Sequence, residues 1–323
     1  MKTAIVLRNC LLDAEDGMVR LGNRIFHYYD RHQWHLGEEL TNPSHGESYR
    51  RITKRLKQKP FPVNNAGLPK LAGPMISAIM PFSNNYYHFV CELLPCLQEF
   101  QHELAAGMPL AIPPSFNPPF RRFLAALGIN MIEVQPNIYS VDELWLPSIP
   151  CEEWTADRAE LVKALFDRAI HDWPGEFMID EHGNAVEEKN NSNVKETKNR
   201  IYISRDLQNR RKLLNEDEIF EALKPYGFKR LKLETMELVD QARLFNNCSH
   251  MVGPHGAGLV NAVNAPKDCH VLNIKPIAGS GNFCFEQLCS VGWPNYHGLV
   301  VPKVPYFVAP VDLVMNVVKS WDL

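Results

Sequence analysis

Between residues 200 and 275 short apolar runs alternate with helix-period runs, and this alternation constrains the fold more than any other feature of the chain. The segments read as strand Arg200–Ser204, helix Asn215–Lys224, strand Phe228–Leu233, helix Glu237–Asn246 and strand His250–Val252. A turn, helix Leu259–Asn264 and strand His270–Ile274 follow. Strands joined through helices run parallel within one sheet, so these segments predict a Rossmann-like half. The turn reads Val252-Gly253-Pro254-His255-Gly256-Ala257-Gly258-Leu259-Val260-Asn261. Glycine lets a ligand approach the backbone, the first N–H groups of a helix lack partners, and the helix dipole favours negative charge. A diphosphate fits such a turn, and the His255 imidazole can donate to a phosphate oxygen. The plainer alternative is that the glycines only let strand and helix pack closely.

Upstream, the same logic gives strands at Ala4–Leu7, Arg24–Tyr29, Ile76–Met80, Leu110–Ile112, Ile129–Val134 and Glu143–Leu146. Helices are expected near Ser48–Lys59, over Tyr86–Ala105, at Pro118–Leu127 and at Ala156–His171. This alternation implies a second parallel sheet with crossovers. Residues 180–199 are polar without apolar periodicity and read as a linker or mobile loop. The expected division is therefore an N-terminal domain over 1–178, a linker over 179–199 and a C-terminal domain over 200–310. A terminal helix over 311–323 is expected to pack back on the N-terminal domain.

The formal net charge of −3 gives no global basic field for nucleic acid. Basic residues cluster instead. Arg50, Arg51, Lys54, Arg55, Lys57 and Lys59 read as a solvated helix face, or as a contact with an anionic membrane surface or acidic glycan. The eight cysteines include no CxxC pair, which suggests reduced, buried thiols in a cytosolic protein. No stretch approaches the roughly 20 apolar residues of a membrane span, so membrane association is expected to be peripheral.

Three further groups carry chemistry. Arg205, Arg210 and Arg211 follow a strand directly, and guanidinium forks match phosphate oxygens; the alternative is a solvated basic loop paired with Asp206, Glu216 and Asp217. Asn215 is expected to cap the next helix, with Glu218 completing a capping box. His88 and Glu92 are four apart on a helix that Asn85 caps, with Tyr87 beside them. A carboxylate that orients an imidazole makes a general base for a hydroxyl, although a structural His–Glu pair reads equally from the spacing. A metal there lacks a third ligand at a recognisable spacing. Glu286 reads as an acceptor for ribose hydroxyls or as an exposed helix residue.

Taken in order, Asn85-Tyr86-Tyr87-His88 with Glu92 and Pro95, Ser204-Arg205 with Arg210, Arg211, Asn215 and Glu216, and Gly253 to Asn261 resemble the family 61 glycosyltransferases. The similarity spans about residues 76–275, whereas the first sixty residues show no clear family pattern. The resemblance implies an α/β, GT-B-like architecture, with two Rossmann-like domains facing across a cleft. It implies inverting transfer from a nucleotide sugar, a UDP-sugar first among them, to a glycan or glycolipid hydroxyl, with no cofactor and no essential metal. It also implies a bacterial, cytoplasmic setting in capsule or lipopolysaccharide assembly, at the inner face of the membrane. In that reading His88 and Glu92 are catalytic and Asn85 and Tyr87 are acceptor-side. Arg205, Arg210, Arg211, Asn215, His255, Gly256, Ala257, Gly258 and Glu286 bind the donor. Glu92 or an unflagged aspartate remains an alternative base. Other readings are a pyruvyl- or phospho-transferase of polysaccharide decoration, or a non-catalytic glycan-binding subunit.

Overall fold

The computed structural model of the 323-residue chain describes residues 5–27, 30–35, 54–80, 84–147, 154–173, 177–179, 185–187, 198–208, 212–277, 284–292, 295–304, 306–321 and 323. Its contacts divide it into two units, Met1–Cys151 and Glu152–Leu323. The expected boundary at 178 falls inside the second unit.

The first unit is built on one eight-stranded sheet. Its strands are β1 (Ile5–Asp13), β2 (Met18–Leu21), β3 (Arg24–His27), β4 (Asp30–His35), β5 (Lys70–Ser77), β6 (Leu110–Ile112), β7 (Met131–Glu133) and β8 (Ile138–Leu146), in the spatial order β4-β3-β2-β1-β8-β5-β6-β7. Only the β8-β5-β6-β7 half is parallel. The first four strands form an antiparallel meander, and β1 runs antiparallel along β8 from Ile5↔Leu146 to Asp13↔Ile138. The sheet is therefore mixed, where the sequence suggested a second parallel one. Short turns join the early strands, and a two-to-four-residue turn can only reverse the chain. At the β1–β2 turn Gly17 has φ +76°, and a Cβ there would overlap the carbonyl oxygen of Ile79. Leu7, Cys10, Leu12, Val19, Met75, Val141 and Leu144 fill one core face of this sheet.

The basic segment before β5 has a more specific role than a solvated face. Residues 54–58 are helical. Arg55 pairs with the fully buried Asp13 and, at 2.6 Å, with Asp16, while Lys59 reaches Asp13 at 3.2 Å and Glu15 at 2.7 Å. A buried carboxylate is tolerated when cations accompany it, so these residues tie the segment to the sheet. Arg50 and Arg51 lie outside the described residues.

The helix expected over Tyr86–Ala105 is continuous but irregular. It runs through α1 (Tyr86–His88), a π-helical turn (Phe89–Leu93), α2 (Leu94–Leu97), a 3-10 turn (Gln98–Phe100) and α3 (Gln101–Ala105). Pro95 has no N–H to give to the Cys91 carbonyl, and its ring crowds that carbonyl, so the preceding turn widens. Phe89 stacks on Phe120 of α4 (Pro118–Ala126) with centroids 4.2 Å apart, which docks the helix.

The second unit opens with α5 (Ala156–Asp172), capped by Thr155, whose Oγ1 accepts the Arg158 N–H at 3.3 Å. A small hairpin follows, β9 (Phe177–Ile179) with β10 (Ala185–Glu187), where the sequence suggested a linker. Of the rest of that linker, 180–184 and 188–197 lie outside the described residues, and Asn199 already begins the next strand. The main sheet comprises β11 (Asn199–Ile203), β12 (Phe228–Leu231), β13 (Cys248–Pro254), β14 (His270–Pro276) and β15 (Tyr296–Val301), ordered β12-β11-β13-β14-β15 and parallel throughout. Helices α6 (Glu216–Leu223) and α7 (Leu238–Asn246) are the crossovers. Helix α5 packs on α7, with Lys163 Nζ 3.2 Å from Asn246 Oδ1 and Arg243 donating to the Trp173 carbonyl at 2.9 Å, and therefore belongs to this unit. Two more helices complete it, α8 (Cys284–Ser290) and α9 (Val311–Lys319). Helix α9 buries Val314, Met315 and Val318 among Tyr202, Ile219, Val252 and Leu272. Its core is that of the second unit, not the N-terminal one that the sequence suggested.

Among the described residues no helix is long and apolar enough to cross a membrane. Six cysteines, Cys10, Cys91, Cys96, Cys248, Cys269 and Cys289, are buried free thiols. Burial pushes Cys10 up to about 12, so it is an inert, protonated core residue.

Candidate active site

The order β12-β11-β13-β14-β15 means that the chain passes from β11 to one side and returns on the other. The strand order therefore reverses between β11 and β13, and open α/β sheets bind ligands outside the carboxyl ends of the strands at such a switch point. Ser204 and Arg205 follow β11, and His255 and Gly256 follow β13, so topology alone brings the predicted basic loop and the glycine turn together.

Side chains tighten the meeting. Gly256 is extended, with φ −179°, so backbone strain does not explain its glycine; space does. A Cβ there would overlap Nη1 of Arg205. Gly253 and Gly258 serve the plainer purpose: a Cβ would meet Ile203 Cβ at 3.0 Å from the first, and Leu233 Cδ1 at 2.9 Å and Ile203 Cγ2 at 3.1 Å from the second. The close-packing reading of the turn thus holds for Gly253 and Gly258, while at Gly256 the space is taken by the Arg205 side chain.

The Arg205 loop is fixed from below by Glu216, the first residue of α6, which is 6% exposed. Its carboxylate accepts the Ser204 hydroxyl and, at 3.1 Å, the Arg205 N–H. Burial pushes this carboxyl up, against the opposing pull of those two bonds. The expected capping box is absent. Asn215 makes no side-chain cap; its amide donates to the Ala309 carbonyl at 2.7 Å and accepts the Ala309 N–H at 3.1 Å, so it anchors the strand-to-α9 connection. Asp206 is paired with Lys212 at 2.9 Å, as the alternative reading had it. Arg210 and Arg211 lie outside the described residues.

The turn continues into a 3-10 helix, Ala257–Asn264, not the α-helix that the sequence suggested. The Leu259 N–H is bonded to the Gly256 carbonyl at 3.1 Å, so the helix end offers fewer open donors than a regular N-terminus. Charge for an anion must come chiefly from side chains. His255 is buried against the edge of the Phe285 ring, and its Nδ1 lies 3.1 Å from Nδ2 of Asn273. That amide nitrogen donates, also to the Tyr296 hydroxyl at 2.8 Å, so Nδ1 accepts and the ring proton sits on Nε2. Burial drives the Tyr296 phenol upward, keeping it neutral. Glu286 is paired with Lys275 and partly buried, so it is not the exposed helix residue of the plainer sequence reading.

In the first unit, Asn85 Oδ1 accepts the Tyr87 N–H at 2.9 Å and caps the helix as predicted. His88 Nδ1 lies 2.7 Å from Glu92 Oε1, with both side chains partly exposed, and the Tyr87 ring meets the imidazole edge-on. The π turn begins at the residue after His88 and includes Glu92. With Nδ1–H given to the carboxylate, Nε2 is the basic nitrogen. The second oxygen of Glu92 is buried with no hydrogen-bond partner among the described residues.

Sequence reasoning missed Asn273 and Tyr296, which come from the two strands beyond the turn and carry no local signal. It also missed a buried amide chain behind the turn, in which Asn261 donates to Gln241 at 3.1 Å and Gln241 donates to the Leu233 carbonyl at 2.9 Å. A capping-type spacing would have flagged neither. Among the described residues no three His, Cys, Asp or Glu side chains converge as a metal site.

No curated protein matches the chain in sequence. The profile of the family described as Glycosyltransferase 61 matches residues 86–272, from the start of the His88 helix to the middle of β14. That match covers more than half of the chain and takes in the His88 pair, the Arg205 loop and the glycine turn, so the chain belongs to the glycosyltransferase 61 family.

Proposed function

We propose that the chain is an inverting transferase that moves a sugar from a nucleoside-diphosphate donor, a UDP-sugar first, to a glycan or glycolipid hydroxyl. The observation that carries this reading is the seating of Arg205 on Gly256 at the switch point, where a guanidinium fork and the His255 Nε2–H suit the oxygens of a diphosphate. As the sugar leaves, negative charge grows on the departing phosphate. Preorganised donors stabilise such charge by about 3 kcal/mol per group, so Arg205 supplies the role that a divalent metal fills elsewhere. Glu216 holds the Arg205 loop through the Arg205 backbone N–H.

His88 is the base in this reading. Nε2 takes the acceptor proton as the hydroxyl oxygen attacks the anomeric carbon, and Glu92 orients the ring and stabilises the resulting imidazolium. Attack opposite the leaving diphosphate inverts the configuration. Asn85 and Tyr87 shape the acceptor side. The setting we infer is surface-polysaccharide assembly at the cytoplasmic face of a membrane. Glu286 and Asn215, committed to Lys275 and Ala309, are left as framework.

A thermal-shift panel of UDP-, GDP- and CMP-sugars tests the donor class. A ligand at a hundredfold excess over its Kd stabilises by about 2.7 kcal/mol, and one nucleotide series is expected to raise Tm clearly above the others. Phosphoenolpyruvate shifting Tm while every nucleotide sugar fails would favour pyruvyl transfer instead. Loss of activity on chelation would contradict the metal-free step.

A further inference from the structure

The opposite end of the same parallel sheet holds a cluster that the transfer reaction does not use. His250 on β13 and His270 on β14 stack with parallel planes, 4° apart in tilt and 5.0 Å between centroids. Trp321, just beyond α9, closes on both at 5.3 Å, and His297 of β15 lies 5.8 Å from the same indole. A cleft of about 680 Å³ opens over them, within the range of small-molecule sites. Lys198 and Arg200 line it at the start of β11, and Asp268, bonded to Lys198 at 2.9 Å, is the acidic side chain in its lining. Every one of these residues belongs to the second unit. From His250 to Pro254, where the glycine turn begins, β13 spans roughly 13 Å at about 3.3 Å per residue.

Three nitrogens in this cluster are buried with no hydrogen-bond partner among the described residues: His250 Nε2, His270 Nδ1 and Trp321 Nε1. Trp321 is 6% exposed, and an indole N–H can only donate. A buried donor without an acceptor is destabilising, so the site is short of acceptors. Its charge points the same way. Two cations and two imidazoles face one carboxylate. We propose that this cleft is a binding site for a small oxyanion-bearing molecule, a phosphate or carboxylate ligand distinct from the sugar donor, gripped by Lys198 and Arg200 and completed by the Trp321 N–H.

The protonation behaviour of the cluster agrees. Burial, then the neighbouring His270, then Arg200 and Lys198, hold His250 down at about 4, while burial and His297 lower His270; Asp268 opposes both. The imidazoles sit in positive potential that a bound anion would relieve.

The test follows histidine imidazole resonances of the full chain during titration with inorganic phosphate and, separately, acetate, at constant ionic strength. Saturable shifts of His250 and His270 with either anion are expected, and the tighter anion identifies the ligand's acidic group. Lys198→Gln, at an exposed side chain, and Trp321→Phe, which keeps the ring but removes the N–H, should each weaken binding about tenfold. The Tm response to nucleotide sugar should stay unchanged in both, which separates this site from the donor site. Absence of a saturable shift with both anions overturns the proposal, and so does equal affinity in the wild type and the two variants.

Discussion

The His88 pair and the glycine turn reach their geometries by opposite routes. His88 and Glu92 meet because they are four positions apart along one continuous helical run. Arg205 and Gly256 meet because a sheet reverses its strand order, and Glu216, Asn273 and Tyr296, from three further elements, hold the two loops. A local pair of partly exposed side chains is separable from the fold, whereas a junction of buried polar bonds is not. The first should fail in chemistry alone, and the second in binding and stability together.

Removing the local pair gives the largest expected effect. His88→Ala should lower transfer by about 10²–10⁴, the ordinary worth of general base catalysis, with Tm and its response to donor unchanged. Steady-state transfer alongside a thermal-shift titration reads both, and near-normal turnover would make the pair structural. Gly256→Ala comes next. Its methyl displaces the Arg205 guanidinium, so donor affinity should fall about tenfold or more, the worth of one charged hydrogen bond. Adding Arg205→Ala should cost little further, because the two act through one contact. Full additivity in calorimetric titrations would break the link between the loops.

Two pH experiments sharpen the contrast between the buried junction and the far end of the sheet. Glu216 is a carboxyl raised by burial, so the folded state binds its proton more tightly than the unfolded chain does. Its stabilising contribution is complete below the unfolded carboxylate value and is lost as pH rises through the folded one. Glu216→Gln should therefore remove a downward slope of stability with pH above about 4.5, the ordinary carboxyl value. His250 has the opposite sign. Held at about 4 against 6.5 unfolded, it contributes stability above 6.5 that is lost as pH falls toward 4, with a slope approaching about 1.4 kcal/mol per pH unit. In His250→Asn the acid limb of a urea-unfolding series should flatten. An unaltered limb would show that the stacked cluster is not what limits acid stability.

Much of this was legible in the sequence where information is local or periodic. Strands β11 to β14, helices α5, α6, α7 and α9, the Asn85 cap and the His88–Glu92 spacing all came from residue types within a turn or two. What was not legible depended on distant partners. Nothing near Pro310 or Ala309 announces that Asn215 will bind there rather than cap its helix. The mixed first sheet escaped because a parallel and an antiparallel strand share the same apolar pattern, and only the short turn around Gly17 distinguished them. The 3-10 form of Ala257–Asn264 escaped likewise, since the run is apolar enough for either helix.

The account's central claim is that Arg205, seated on Gly256, holds the donor's diphosphate. The direct measurement is calorimetric titration of wild type and Arg205→Ala with the nucleoside diphosphate whose sugar raises Tm most. A loss of about tenfold to a hundredfold in affinity, with the folded state intact by circular dichroism, is what the geometry predicts. Equal affinity in the two proteins would contradict it.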